Sequence, residues 1–310
     1  MTEVPVLAQP SEAWKRLADR VAGQSWPQAC LYVVATPIGN LGDLGMRAWL
    51  TLQRCDVIAA EDTRSSRTLL DAWGIDTPMM AAHRHNEQAA AQRIVERLAR
   101  GERVALISDA GAPAVSDPGA RIVRTVRAAG FRVIPLPGAS ALIAALMASG
   151  ATTDEEPGFA FAGFAPSKTQ ARRKWLQRWG ALDIPVLLFE SPHRLLACIQ
   201  DMVAVCGAER AITIARELTK RFEQIQTMAL SQALAWLEAD SHRSQGEFVL
   251  ILHAPEDTGE SDEALAPEHV RLLDALLDEL SVRDAARVGA KVTGLSRDTL
   301  YAWALRRERH

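Results

Sequence analysis

Five short stretches concentrate the residues able to do chemistry. They are T-P-I-G-N-L-G-D (36–43), S-D-A-G-A-P-A-V-S-D-P-G (108–119), P-L-P-G-A-S-A (135–141), S-P-H-R (191–194) and A-R-E-L-T-K (215–220). Glycine lets backbone amides approach a ligand closely, and proline fixes the shape of the loop that carries them. Rigid backbone contacts of this kind suit a nucleotide-like cofactor. Two nucleotide motifs are nevertheless excluded. No G-x-x-x-x-G-K-[S/T] occurs, and the nearest approach to G-x-G-x-x-G, the run G-N-L-G-D-L-G at 39–45, has the wrong spacing. The four cysteines, Cys30, Cys55, Cys198 and Cys206, form no C-x-x-C pair, so no metal site and no disulfide framework is expected.

Within these stretches several side chains have two readings. Asp109 follows an apolar run and suits a ligand contact, the alternative being a turn-capping aspartate. Asp117, followed by Pro118, reads as a helix N-cap with proline at the first helical position. Glu61, Asp62 and Arg64 either face a cleft or make a cap with a local ion pair. His193 is a possible base, although a lone histidine beside Pro192 more often starts a helix, and Arg194 suits phosphate or carboxylate contact. Arg216, Glu217 and Lys220 are either chemically active or an ion-pair network between strands.

All five stretches follow apolar runs, the edge where open α/β sheets bind ligands. Strands are predicted at 31–36, 56–60, 103–108 and 131–136, with helices at about 45–54, 63–73, 86–100, 118–129 and 138–149. Strand–helix alternation with wholly apolar strands predicts a parallel sheet covered on both faces. After a linker at 151–158, strands at 159–164, 185–190, 211–218, 223–230 and 246–254 predict a mixed sheet with antiparallel pairs. The organisation read from this pattern is an extension over 1–29 holding one helix capped by Ser11, α/β domains over 30–150 and 151–254, an acidic tether over 255–266, and a helical module over 267–310. In that module the run 281–305 reads as helix, turn at Gly294, and a second helix capped by Ser296, a helix-turn-helix pattern.

The net charge of −3 argues against a chain coated in positive charge, but the charge is polarised. Residues 167–180 carry five basic side chains and no acidic one, and 281–310 carry seven basic against three acidic. Trp175 and Trp179 share one helix face and are expected to pack inward, with Lys168, Arg172, Arg173 and Arg178 facing out. Nucleic-acid backbone contact is expected there and at Arg194, Arg287 and Lys291. No apolar run of 18 residues suggests a membrane span, and the first residues, with Glu3, Glu12 and Asp19, do not resemble a signal peptide.

Read together and in order, TPIGNLGD, AEDTRSSRTLL (60–70), HNE (85–87), SDAGAPAVSDPG, PGASA, GFAPSK (163–168), FESPHR (189–194), ARELTK and GEFVL (246–250) resemble the bacterial 16S rRNA (cytidine 2'-O)-methyltransferase family of the tetrapyrrole-methylase-like superfamily. The resemblance runs from about Leu31 to Ala254 and includes the helical module. It implies a two-domain class III methyltransferase fold, S-adenosylmethionine as methyl donor, and the ribose of cytidine 1402 in 16S rRNA or the 30S subunit as target. A cytoplasmic homodimer is expected by the same likeness. Donor contacts map onto Pro37, Ile38, Asp109, Ala112, Ser140, Ala141, Phe189, Arg216, Glu217, Leu218, Gly246 and Phe248. A ribose hydroxyl needs its proton accepted as the methyl moves, and Glu217 or a neutral Lys220 are the expected acceptors. Two rival readings remain at this stage. One is a small-molecule methyltransferase of the same superfamily, against which the basic segments speak. The other is a ligand-sensing regulator acting through the helix-turn-helix, against which the strand-end loops speak.

Overall fold

The computed structural model describes residues 12–255 and 265–307. The expected Ser11 cap and most of the 255–266 tether lie outside the described residues. Helix α1 (Glu12–Ala22) precedes the first sheet, which is built from β1 (Cys30–Val34), β2 (Val57–Ala60), β3 (Met79–Ala81), β4 (Val104–Ile107) and β5 (Arg132–Leu136). All pairings are parallel, in the order β3-β2-β4-β1-β5. Every residue of β2 and β4 is buried, which is why these strands read as unbroken apolar runs rather than as an alternation.

Alternate side chains of this sheet enter two different cores. Tyr32, Ile58 and Ala105 pack with Leu52 of α2 (Met46–Arg54) and Leu70 of α3 (Thr63–Ala72). Leu31, Val57 and Leu106 pack on the other face with Ile94 and Leu98 of α4 (Glu87–Ala99) and with Ile122 and Val126 of α5 (Ala120–Ala128). Strand β3 was not expected. The tripeptide Met-Met-Ala has no β-branched residue and sits at the sheet edge, so neither propensity nor periodicity marks it.

Helix α6 (Ala141–Ser149) leads out of the first sheet. The second sheet contains β6 (Ala160–Phe164), β7 (Val186–Glu190), β8 (Ala211–Arg216), β9 (Gln224–Ala229) and β10 (Phe248–Leu252), in the order β6-β7-β10-β8-β9. Only β6–β7 is parallel among these pairs; the mixed character expected from the closely spaced last three strands is present. Helices α7 (Thr169–Gly180), α8 (Leu195–Cys206) and α9 (Leu230–Glu238) cover one face through Leu176, Ile199 and Leu237. The opposite face, with Leu187, Ala215, Val249 and Ile251, is covered by Leu142 and Ala145 of α6. Ile38 and Val115 from the first sheet's loops join that same cluster, so one apolar core ties the two sheets together.

Residues 265–307 form their own small unit of α10 (Pro267–Leu277), α11 (Val282–Thr293) and α12 (Arg297–Arg307) around Leu273, Ala286 and Leu300. Gly294 is left-handed, with φ 76°, and ends α11; Ser296 Oγ accepts from the Thr299 amide at 3.1 Å at the start of α12. Gly289 is held against the other helices: a β-carbon there would lie 3.1 Å from Leu300 and 3.2 Å from Leu273. Among the described residues no helix is long and apolar enough to cross a membrane.

Candidate active site

Three loops of the first sheet converge at one edge, two of them bonded backbone to backbone and the third packed closely against them. Thr36 and Gly111 exchange amide–carbonyl hydrogen bonds at 2.9 and 3.0 Å, and Thr36 Oγ1 donates to the Ser108 carbonyl at 3.1 Å. Gly138 lies so close to β1 that a β-carbon there would sit 3.0 Å from the Ala35 side chain. These contacts fix the strand-end backbone rather than leaving it to side chains.

The loops open onto a cavity of about 490 Å³, within the roughly 300–1,000 Å³ range of small-molecule sites. Ile38, Asp109, Ala112, Ser140 and Ala141 line it from the first half, and Phe189, Leu218 and Phe248 from the second. The cavity also gathers Glu61, Gly111, Asp117, Phe164 and Glu247. Phe164 and Phe189 form a tilted aromatic pair at 5.5 Å between ring centroids. Gly111 is left-handed, with φ 79°, and a β-carbon there would meet Ile38 at 3.4 Å. An apolar, aromatic-edged hollow with open backbone and a carboxylate wall fits a cationic, nucleoside-bearing methyl donor.

Asp117 is placed differently from the sequence expectation. Helix α5 starts at Ala120 with Gly119 at its N-cap, so Asp117 caps nothing. The chain ahead of it takes left-handed turns at Ala114 (φ 70°) and Ser116 (φ 64°), and the next turn is anchored by Glu87 Oε1, which accepts from the amides of Gly119 and Arg121 at 3.0 Å each. The result brings Asp117 to the cavity wall. Burial, with the charges of Glu61 and Asp109 nearby, pushes its carboxyl up to about 6. Glu61 is raised as well, by burial and then by Asp109. Asp62 takes the capping role: its carboxylate accepts from the Arg64 amide at 2.8 Å. His193 is exposed and does not line the cavity, and α8 begins two residues after it.

Four residues expected at the donor site do not line the cavity: Pro37, Arg216, Glu217 and Gly246. Arg216 is buried, and its guanidinium donates to the carbonyls of Gln245 at 2.5 Å and Phe222 at 3.1 Å, bracing the segments that flank the sheet. Gly246 backs onto Glu217, whose carboxyl would lie 2.6 Å from an added β-carbon.

Glu217 and Lys220 also lie off the cavity wall and are bound to one another. Lys220 Nζ bridges Glu217 Oε1 and Glu247 Oε2, both at 2.8 Å. Burial alone would lower the Lys220 pKa, but the two carboxylates outweigh it and hold the ammonium above its ordinary value. Burial likewise pushes Glu217 up, and the bonds from Lys220 and the Glu247 amide bring it below the usual carboxylate range. A neutral Lys220 base is therefore inconsistent with this geometry; the pair is the ion-pair network that was the alternative reading.

The basic segments divide in the same way. Arg172 does not face out. It is 3 % exposed and its Nη2 lies 2.6 Å from Asp201 Oδ2. Arg173 reaches the other oxygen of Asp201 at 2.7 Å. Arg194 pairs with Glu190 at 2.7 Å and Arg287 with Asp284 at 2.8 Å. Lys168, Arg178 and Lys291 are exposed, Arg178 over the Trp179 ring at 5.5 Å. The sequence could not reveal Asp201 as a partner, since it lies 29 residues from Arg172; Glu190 and Asp284, at local spacing from Arg194 and Arg287, were within its reach.

Residues 30–234 match the family described as Tetrapyrrole (Corrin/Porphyrin) Methylases, and residues 263–308 match the RsmI C-terminal HTH domain. Ribosomal RNA small subunit methyltransferase I of Haemophilus influenzae is 45 % identical over 89 % of this chain and 96 % of its own. The protein of the same name from Pseudomonas aeruginosa is 45 % identical over 90 % of this chain and 97 % of its own. The chain belongs to the ribosomal RNA small subunit methyltransferase I family.

Membership of this family makes the chain a methyltransferase, and it accounts for the paired sheets. Diphthine synthase shares the fold at a TM-score of 0.56 and 15 % identity, over 72 % of this chain and 90 % of that one. So does the Thermus thermophilus uroporphyrin-III C-methyl transferase complexed with S-adenyl homocysteine, at a TM-score of 0.51 and 16 % identity, over 71 % of this chain and 96 % of that one. At such identities the likeness concerns architecture alone. The ribosomal RNA small subunit methyltransferase I relatives are matched along both α/β halves and the helical unit alike, since the match spans nine-tenths of the chain.

Proposed function

We propose that the chain transfers a methyl group from S-adenosylmethionine to the ribose 2'-hydroxyl of a cytidine in 16S rRNA, cytidine 1402, acting on the RNA or on the 30S subunit. The observation that carries this reading is the cavity shared by both halves, with apolar and aromatic walls and carboxylates from two neighbouring strand ends, in a chain of this family. When bound, S-adenosylmethionine supplies an electrophilic methyl group on a positively charged sulfur.

The chain's own work is binding, alignment and proton transfer. Ile38, Phe164, Phe189 and Leu218 give the cavity an apolar lining against which the donor can pack. Glu61, Asp109 and Asp117 set a negative potential matched to a cationic ligand. Holding donor and hydroxyl in line removes the entropy of bringing them together. Asp117, raised to about 6, is ionised at neutral pH yet basic enough to take the hydroxyl proton, and it replaces Lys220 and Glu217 in that role. The protein works in the cytoplasm as a homodimer; Ile143 and Met147, exposed one turn apart on the otherwise apolar α6, favour self-association.

The test is incubation of the purified protein with methyl-labelled donor and 30S subunits from cells lacking it, followed by nuclease digestion and mass mapping. Label on the ribose of a single cytidine supports the proposal. Label on a base, or none, rejects it.

A further inference from the structure

Two of the five basic residues of the segment that stands out in the sequence, Arg172 and Arg173, are engaged by Asp201 in the fold. A second segment has the opposite character. From Pro118 to Thr153 the chain holds four arginines and no acidic residue. Three of them, Arg121, Arg124 and Arg127, lie on α5 at three-residue spacing. Ile122 and Val126 turn the other side of that helix into the core, so the arginines share the solvent face. All three are exposed, and none of their side chains makes an ion pair or hydrogen bond among the described residues.

Their placement ties them to the site. Helix α5 begins three residues after Asp117, and its first turn is fixed by the bonds from Glu87 to the Gly119 and Arg121 amides. The arginines therefore run away from the cavity mouth along a rigid axis, about 9 Å from the first Cα to the last at about 1.5 Å per residue. Like charges at this helical spacing repel one another weakly and are relieved by an anion, and the planar guanidinium forks suit phosphate oxygens.

We propose that the Arg121–Arg124–Arg127 face of α5 grips the phosphate backbone of the substrate RNA next to its target nucleotide. This rests on the reading of the chain as an RNA methyltransferase and identifies the surface that reading lacks. The partner is single-stranded or irregular RNA, because a nucleotide held in a duplex cannot seat its ribose in the cavity. The contact is with backbone, so it sets register and affinity without reading sequence.

The test compares the wild type with R121Q/R124Q/R127Q and with R121K/R124K/R127K, measuring binding to naked 16S rRNA across salt concentrations and methyl transfer to 30S subunits. Losing three phosphate contacts should flatten the plot of log affinity against log salt by about 2, at about 0.7 per contact on single strands. Over a fourfold salt range this is about a fifteenfold difference in how far affinity falls. The glutamine variant should show that flattening and a raised KM for 30S with S-adenosylmethionine affinity unchanged, and the lysine variant should recover most of the slope. An unaltered slope and KM in the glutamine variant overturns the proposal. So does a change seen with 30S but not naked RNA, which makes the partner a ribosomal protein, or a change in oligomeric state, which makes α5 a subunit interface. If the wild type binds RNA with the expected slope but methylates no ribose, the functional reading fails while the arginine face stands.

Discussion

The backbone amide of Asp62 donates to Oδ1 of Asp109 at 3.1 Å, linking the loop after β2 to the loop after β4. One oxygen of Asp109 is thereby oriented by its neighbour strand, and the carboxylate is fixed at the cavity before any ligand arrives. With Glu61 and Asp117 beside it, the wall carries charge that repels itself in the free protein and is relieved by a cation. Strain of this kind is common where a site is built for its ligand rather than for stability.

Activity should follow the ionisation of Asp117. Because its carboxyl sits at about 6, kcat/KM on 30S subunits should climb about tenfold per pH unit below that value and level off above it. Asp117→Asn should lower kcat by roughly 10²- to 10⁴-fold, the usual contribution of a positioned acid or base, and abolish the rise. A stopped-time methyl-transfer assay from pH 5 to 8 reads both.

Stability should move the other way. Folding raises Asp117 from the ordinary value of about 3.9, so the folded state holds that proton more tightly than the unfolded chain. The associated stability is present below about pH 4 and is lost as pH climbs through about 6. Asp117→Asn removes this loss, so its melting temperature at pH 7.5 should equal or exceed that of the wild type, while at pH 4 the two should be similar. Calorimetry at the two pH values checks the crossover.

Gly246→Ala should destabilise the second sheet. Its φ of 98° disfavours any side chain, and the new methyl would lie 2.6 Å from the Glu217 carboxyl that anchors Lys220. A cost on the order of 1–3 kcal/mol is expected from the backbone alone. Chemical denaturation should show the loss even though Gly246 does not line the cavity.

Arg172→Ala should cost about 1–3 kcal/mol, because it removes one charged hydrogen-bond partner from the buried Asp201 carboxylate while Arg173 keeps the charge compensated. The salt dependence of RNA binding should be unchanged in whatever fraction remains folded. A variant that keeps full stability and loses RNA affinity would restore the outward-facing role expected from the sequence.

The strand-end loops were legible because their demands are local. Ser108–Gly119 needs glycine for its own backbone shape at Gly111 and Gly119, both at positive φ, and these residues mark it whatever surrounds it. The buried strands β2 and β4 were legible for a related reason, since burial on both faces leaves only apolar choices. What failed depended on distant partners. Asp117 before Pro118 carries the local signature of a cap, but Glu87, 32 residues before Gly119, takes the amides of Gly119 and Arg121 instead and leaves Asp117 at the cavity. Arg172 is indistinguishable from a surface arginine until Asp201 is brought to it by the packing of α7 on α8. Lys220 read equally as a base or as a member of an ion-pair network with Arg216 and Glu217, and Glu247, 27 residues on, is the partner that the sequence did not indicate.

The most direct test of the account is a ribose-methylation map of 16S rRNA from cells in which this protein is deleted, then restored as wild type or as Asp117→Asn. The account predicts that one 2'-O-methyl group, on cytidine 1402, disappears on deletion, returns with the wild type and stays absent or sparse with the variant. A ribose pattern unaltered by deletion would contradict it.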